Sequence, residues 1–429
     1  MLSQRLLRLT AWRLYLMELT FFSPIGWDWK THTMIPSKNF VYLNWLLQQF
    51  YLFWFMMVLI IKLFIQLRSN DENDIPDDAV IIKDAAFNAF VTAVDITYIA
   101  ILAILLGLAI NLIRVRQDLI CLFNKMVEVD TTLTKKYQAE LQGNPTVKSY
   151  SLRAEFILGG TYATTVIIVP ALCVVYFLQD AEPIHRFIAE ILEIDVELKL
   201  EHLHFLGALV FSISVCGNTV CLYVLCVAGS IQIVSFWLDN TTPRKDSPIE
   251  YIKEKKGKVS NPNPVLRTRL GLLDGKVIMD IQKRLQFLAR LLDNLTATFL
   301  LTLHHGGCMI IFVSTCYMCI EYVEEIILRD ALKLIVVVPF IIVVSEWLET
   351  IEVCRINDTS RESVKILRNR FRTSFASVRK TKSKELWKMA EALPVLCLEL
   401  AYPFYRYNRG TFLEFFNEAI DLLVTALVS

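Results

Sequence analysis

The sequence TFLEFFNEAIDLLVTALVS, residues 411–429, decides how the rest of the chain is interpreted. It is mostly apolar, and a helix of this length, at about 1.5 Å per residue, is nearly long enough to cross a bilayer. Glu414, Glu418 and Asp421 interrupt it at spacings of four and three, which place the three carboxylates on one helical face. Asn417 and Thr425 extend that face in both directions.

This acidic face cannot lie against lipid, because each charge near the bilayer centre costs on the order of several kcal/mol. If the helix surrounds a shared axis with copies of itself, the carboxylates line a cation pathway. The alternative is that they pair with basic groups on neighbouring helices. We favour the pore.

The composition indicates a polytopic membrane protein. Of 429 residues 55% are hydrophobic, and the mean hydropathy of +0.45 is too high for an ordinary soluble domain. The formal net charge is only +1, which gives no general attraction for nucleic acid. The N-terminal sequence MLSQRLLRLTAWRLYL scatters arginines among apolar positions and predicts a cytoplasmic amphipathic helix at the interface, not a cleaved signal peptide.

Seven apolar stretches are long enough to be membrane spans. They are residues 39–67, 85–112, 154–178, 203–238, 294–320, 331–354 and 411–429. We therefore predict an all-α protein with seven transmembrane helices.

The basic residues of the loops predict the orientation. Residues 1–38, 112–153, 239–293 and 355–392 together hold 35 Lys and Arg, whereas residues 68–84, 179–202 and 321–333 hold six. The positive-inside rule places the N-terminus in the cytoplasm and the C-terminus outside. A G-protein-coupled receptor has the opposite orientation, and the chain also lacks an Asp/Glu-Arg-Tyr triplet after the third span.

Several cytoplasmic segments are predicted to be helical. The apolar spacing in residues 265–293 favours a helix that continues into the fifth span as one rod. Residues 358–389 form a basic helical stretch whose charges face water near anionic lipid. In residues 391–410, Pro394, Pro403 and Gly410 favour a helix, a kink and then the terminal helix.

Polar and aromatic side chains within the spans are candidates for a ligand pocket in the outer half of the bundle. Asp95 is the main one, because an ionisable group inside a span needs a site or a partner; it either lines the pocket or hydrogen-bonds a neighbouring helix. The candidate ligand-binding residues are Asp95, Tyr98, Tyr162, Thr165, Tyr176, Ser212 and Phe340. Pro339 and Phe340 are predicted to break the sixth span, and Gly306 and Gly307 to allow close helix packing.

Nothing in the chain predicts catalysis or a cofactor. It has no Gly-rich nucleotide loop, no Gly-x-Ser-x-Gly and no His-Glu-x-x-His. His304 and His305 are adjacent and so point about 100° apart on a helix, which is a poor arrangement for one metal ion. We predict no enzyme activity and no metal site.

The whole pattern resembles the insect odorant and gustatory receptor superfamily. The shared features are the cytoplasmic N-terminus, seven spans, a long basic loop between spans four and five, and a short final helix. The tail PFYRYNRGTFLEFFNEAIDLLVTALVS is similar to the family's C-terminal region in Thr411-Phe412 and in Thr425 to Val428. The Thr-Tyr and near-terminal Gln common in gustatory members are absent, so the branch stays open.

The resemblance implies a ligand-gated cation channel of four subunits whose pore is lined by the last helix. The outer constriction would fall among Val424, Thr425 and Val428. The pore-lining residues would be Glu414, Asn417, Glu418, Asp421, Val424, Thr425 and Val428. The resemblance also implies a small organic ligand in the outer half of the bundle.

We therefore predict a chemosensory, non-selective cation channel of the plasma membrane, opened by an odorant or a tastant. Its domains are a cytoplasmic N-terminal segment (1–38), a six-helix ligand-binding bundle (39–354), a cytoplasmic anchor region (355–410) and the pore helix (411–429). Its partners are a small organic ligand, membrane lipid, permeant cations and other subunits, in a homotetramer or a heterotetramer with a co-receptor. A metabotropic seven-helix receptor and a secondary transporter are the alternatives.

Overall fold

The computed structural model describes residues 4–19, 23–72, 79–141, 222–223, 226–245, 250–252, 263–296, 300–321, 336–378, 381–398 and 410–428. Within these residues the chain is mostly helical, as predicted. The helices are α1 (Gln4–Leu19), α2 (Asn39–Glu72), α3 (Ala79–Lys136), α4 (Gln138–Leu141), α5 (Gly275–Thr296), α6 (Leu300–Glu321), α7 (Val337–Val378), α8 (Thr381–Glu391) and α9 (Thr411–Val428). The strands are β1 (Ile25–Asp28), β2 (Thr33–Pro36), β3 (Glu250–Ile252), β4 (Asn263–Thr268) and β5 (Gly271–Asp274).

Two of the described helical segments are long and apolar enough to cross a membrane, residues 39–65 of α2 and 95–136 of α3, and residues 306–321 of α6 form a shorter apolar segment. The segment 39–65 lies within the predicted first span, and the segment 95–136 overlaps the predicted second span. α2 packs along α3. The predicted third span and most of the fourth lie outside the described residues.

The long helices continue well beyond the predicted spans. α3 runs to Lys136, with one non-helical residue at Val115 (φ −109°, ψ 18°) that marks a kink just after the predicted span ends. α7 runs from the sixth span to Val378, so the basic stretch after residue 358 belongs mostly to the same helix. Pro339 and Phe340, which are predicted to break the sixth span, lie in the first turn of α7, where proline's missing N–H would have no helical partner, and the helix continues through both of them.

The prediction that residues 265–293 form one helix is also wrong in its first third. Residues 263–274 are the antiparallel hairpin β4–β5, and β3 pairs with the other edge of β4. Leu266, Thr268 and Leu270 are buried and alternate with exposed arginines, which is the two-residue period of a strand. Gly271 turns the chain with a φ of +98°, and α5 begins only at Gly275. The junction with α6, residues 297–299, lies outside the described residues.

A second hairpin, β1–β2, follows α1 within the predicted cytoplasmic N-terminal segment (1–38), for which the sequence predicted an amphipathic helix and no strands. Its turn is stabilised by Asp28, whose carboxylate accepts the Lys30 amide at 2.9 Å and the Thr31 hydroxyl at 2.7 Å. The side chain of Asn124 on α3 pairs with both backbone polar groups of Met34, each at 2.9 Å. The all-α prediction is therefore corrected by two small antiparallel sheets, both on segments predicted to be cytoplasmic.

Within the described residues, two clusters of unequal size hold most of the buried apolar side chains. The larger one joins α1, β1–β2, α3 beyond residue 107, helical residues 226–238, α5, α7 and α8. The smaller one contains Ala100, Cys308, Ile311, Phe312, Ile342, Phe415 and Ala419, from α3, α6, α7 and α9. Most of the tightly packed core described here thus lies in the part of the chain that the loop charges place in the cytoplasm.

Two glycines mark close helix contacts. A Cβ on Gly307 of α6 would lie 2.4 Å from the Ile104 side chain of α3, which confirms the predicted close approach at this position. A Cβ on Gly306 would meet nothing within 4 Å. At the start of α5, a Cβ on Gly275 would lie 2.2 Å from the Phe371 ring of α7.

Candidate functional site: the terminal helix and the helices behind it

The terminal helix α9 begins where the sequence predicts. The Glu414 amide donates to the Gly410 carbonyl at 2.8 Å, and Thr411 is buried. Toward its end, the Thr425 hydroxyl donates to the Asp421 carbonyl at 2.8 Å, four residues back. Residues 411–428 therefore form one uninterrupted helix.

One narrow face of α9 holds it against the bundle. Phe415 and Ala419, spaced by four, are 1% and 0% exposed, and they pack in the smaller apolar cluster against α6 and α7. The Phe416 ring lies 6.0 Å from Phe312 of α6, centroid to centroid. These contacts fix which side of α9 faces the bundle.

The acidic face lies on a different side of the helix. Glu414, Glu418 and Asp421 are all exposed, and none of them forms an ion pair within the part of the chain that the structure describes. The other residues predicted to line a pore share this exposure: Asn417, Val424, Thr425 and Val428. Among the described residues, the alternative of pairing with a neighbouring basic helix therefore has no contact in its favour.

The rest of the exposed surface of α9 is apolar. Leu413, Ile420 and Leu427 are 61%, 40% and 38% exposed, on the side away from Glu414 and Glu418. Within one chain, α9 is thus covered on a single stripe and presents both an acidic and an apolar face. An apolar face of this kind suits lipid or another subunit.

Asp95 is buried and has a partner on a neighbouring helix. Its side chain is 0% exposed, and its Oδ2 lies 2.9 Å from the Nζ of Lys62 on α2, which is 4% exposed. Sequence reasoning did not identify Lys62, although a lysine inside the apolar run FMMVLIIKLF was itself a signal. Lys62 is therefore the partner on a neighbouring helix that Asp95 needs if it does not line the ligand pocket.

The other predicted ligand-binding residues are only partly described. Phe340 lies in the first turn of α7 and is 70% exposed. The helical backbone at Tyr98 is described but its side chain is not, and Tyr162, Thr165, Tyr176 and Ser212 lie outside the described residues. The pocket stays a prediction.

A polar network joins the helical residues 226–241 to α7. The Asp239 carboxylate forms an ion pair with Arg355 and lies 3.9 Å from Arg269 in the β4–β5 turn. The Glu352 carboxylate accepts the Ser235 hydroxyl at 3.3 Å and lies 3.6 Å from Arg355. Because these carboxylates are nearly buried, the network holds the two helices in a fixed relation.

The segment that leads toward α9 is tied to α7. Residues 392–398 follow α8 without helical structure, where the sequence predicted a helix and a kink. The Leu398 amide donates to Asn357 at 2.8 Å, and the Leu396 amide donates to Ser360 at 2.8 Å. Arg368 donates to the carbonyls of Ala390, Glu391 and Leu393 at the end of α8. These contacts hold residues 390–398 against α7.

The chain is similar to known proteins in its fold and not in its sequence. No protein-family model and no curated protein sequence matches the chain. The solved structure of the olfactory receptor OR5 from the insect Machilis hrabei is similar to it with a TM-score of 0.54 and 10% identity, covering 98% of this chain and 97% of that one. The same receptor in complex with eugenol gives a TM-score of 0.57 and 9% identity over the same shares.

The similarity extends over nearly the full length of both chains, so it concerns the arrangement of the whole molecule and not one helical hairpin. At this identity it supports the fold alone. The resemblance inferred from the whole sequence pattern and the C-terminal tail is confirmed at that level: the chain has the fold of an insect olfactory receptor.

Proposed function

We propose that the chain is a subunit of a chemosensory receptor of the insect odorant and gustatory receptor superfamily, which acts as a ligand-gated, non-selective cation channel. It spans the plasma membrane seven times with its N-terminus in the cytoplasm, and four subunits surround a pore lined by α9. The observation that carries the proposal is the exposed acidic face of α9 in a chain with an olfactory-receptor fold.

The geometry of α9 suits a cation pathway. Glu414 and Asp421 are seven residues apart, about 10 Å along the helix axis at 1.5 Å per residue. In a fourfold arrangement, Glu414, Glu418 and Asp421 would form three successive rings of carboxylates. Rings of this kind attract cations and repel anions. Val424 and Val428 follow them toward the C-terminus and would form the narrow, apolar outer end.

A short route connects the proposed ligand pocket to this helix. Ala100 of α3 packs in the same apolar cluster as Phe415 and Ala419 of α9. Asp95 lies only five residues before Ala100 on α3. A ligand that favours one arrangement of α3 and α6 in this region would thereby shift the population of α9 positions.

The ligand class follows from the same reasoning. The solved receptor with this fold binds eugenol, a small organic molecule. We propose a ligand of similar size for this chain, in the outer half of the bundle near Asp95 and Phe340. A charged ligand would have to compete with the ion pair between Lys62 and Asp95.

The test is whole-cell recording from cells that express the chain, alone and with a co-receptor, under a panel of odorants and tastants. Glu418→Lys and Asp421→Lys are compared with Glu385→Lys, which reverses an exposed acid on α8. We expect a ligand-evoked cation current whose permeability ratios change in the two α9 variants and not in the control. A current with unchanged permeability ratios would remove the acids from the pore. A response only through G proteins, with an N-terminal tag accessible from outside, would refute the channel.

A further inference from the structure

A cleft with a basic rim lies on the predicted cytoplasmic side, away from the residues assigned to pore and ligand. It has a volume of about 430 Å³ and lies between the end of α3, the start of α5 and Met389 of α8. Leu133, Ile281 and Met389 contribute apolar surface to it. Lys136, Lys276 and Lys283 provide exposed ammonium groups around it.

The charge of this cleft is not neutralised by its own acids. Four basic and two acidic side chains line it, which leaves a net charge of two positive. Both acids are engaged: Asp280 binds Arg284 at 3.2 Å, and Asp274 accepts the backbone amide of Lys276 at 2.8 Å. Within the described residues, Lys136, Lys276 and Lys283 have no carboxylate within salt-bridge distance.

Three lysines around one concave surface suit a ligand with several negative charges close together. A carboxylate has one charge, whereas adjacent phosphoryl groups can meet several ammonium groups at once. The volume is within the range of small-molecule sites. A folded acidic protein surface would not reach the floor of so small a cleft.

The distance of Lys276 from the predicted fifth span decides whether the cleft can bind a soluble ligand or a lipid headgroup. Lys276 lies twenty residues before Thr296, where the described part of α5 ends next to the predicted fifth span, and twenty helical residues extend about 30 Å. On the proposed topology, the headgroups of the inner leaflet are therefore out of reach. We propose that the cleft between α3 and α5 is a cytoplasmic binding site for a soluble polyphosphate anion.

The assignment of this cleft to the cytoplasm rests on the proposed function only through the membrane topology. A bound anion would also have a consequence for the proposed channel. A bound anion would join α3, which carries Asp95, to α5, which leads to the fifth span. Occupancy would then favour one relation between the two helices without contact with the pore.

The experiment is isothermal titration of the purified full-length protein in detergent with inorganic tripolyphosphate. The test variant is Lys276→Glu with Lys283→Glu, and the control is Lys365→Glu with Lys384→Glu, two exposed lysines outside the cleft. We expect the test variant to lose at least about tenfold in affinity, because each charge-assisted hydrogen bond lost is worth about that factor or more. The control should bind like the native chain.

A second arm distinguishes the source of the phosphate. The protein in phosphatidylcholine nanodiscs, with and without phosphatidylinositol 4,5-bisphosphate, is titrated in the same way. Lipid-dependent protection of Lys276 and Lys283 from amine labelling would overturn the soluble ligand. Absence of tripolyphosphate binding, or equal loss in both double variants, would overturn the site. Because binding is measured without current, failure of the site and failure of the channel are separate results.

Discussion

The buried ion pair between Lys62 and Asp95 leads to a quantitative test of what Asp95 does. The two charged atoms are 2.9 Å apart, and the side chains are 4% and 0% exposed. Removal of one partner from a buried pair leaves an uncompensated charge and destabilises a protein by about 3–5 kcal/mol. Replacement of both partners by apolar residues of similar volume is often neutral or stabilising.

We therefore expect Lys62→Met and Asp95→Leu each to lower stability strongly, and the double variant to recover most of the loss. At about 1.4 kcal/mol per factor of ten, each single change alters the folding equilibrium by roughly two to three and a half powers of ten. The measurement is thermal unfolding of the detergent-solubilised protein by size-exclusion chromatography. The exposed pair Lys125 and Glu128 serves as the control, and its removal should change stability little, because water screens an exposed ion pair.

Additive losses in the double variant would contradict the assignment, because two residues that act on each other cannot contribute independently. The variant Asp95→Asn tests whether Asp95 contacts the ligand instead. If Asp95→Asn kept native thermal stability and abolished the ligand-evoked current, the carboxylate would be needed for binding and not for packing.

Three further predictions concern single contacts. Gly307→Ala should destabilise the chain by about 1–3 kcal/mol, because the new methyl group overlaps Ile104. Gly306→Ala should be neutral or slightly stabilising, because its methyl group would meet nothing. Thermal unfolding of the two variants tests this difference. Asn357→Ala removes both hydrogen bonds to Leu398 and should cost about 1–3 kcal/mol. It should also increase proteolysis after Leu396 and Leu398, as followed by limited chymotrypsin digestion. The Thr31 hydroxyl and the Lys30 amide lower the pKa of Asp28, so its contribution to hairpin stability is present above the ordinary value of 3.8 and is lost as the pH falls below it. Thr31→Val should weaken that acid dependence, as measured by tryptophan fluorescence between pH 2 and 6 (about the range that spans the transition).

The exposed acidic face of α9 could be predicted from the sequence because it depends only on helical period. Spacings of four and three fix which side chains share a face, whatever packs behind them. Once Phe415 and Ala419 are placed against the bundle, the acids must lie elsewhere on the surface. The long apolar helices could also be predicted, because the length and hydropathy of a segment are local properties of the sequence.

The parts that could not be predicted depend on contacts between distant residues or on competing periods. The stretch around Leu266 and Leu270 contains apolar residues at both helical and strand spacings, and the exposed arginines between them decide for the strand. The partner of Asp95 is 33 residues away on another helix, so neither residue alone predicts the pair. The effect of Pro339 depends on where the helix starts, because proline is tolerated in a first turn and breaks a helix further along, and the sequence around it does not reveal that start.

The contact between Met34 and Asn124 has a consequence for biosynthesis. The two residues are 90 positions apart, and the whole of α2 and most of α3 lie between them. At about 5–20 residues per second, the ribosome needs several seconds to make that intervening chain. During this interval β1–β2 has been synthesised without the helix on which it packs. On the proposed topology, the contact with Asn124 forms only after α2 and α3 have both been inserted and the chain has returned to the same side. On that topology, docking of this hairpin would mark, within the nascent chain, that the first helical pair has been inserted with both of its ends on the expected sides.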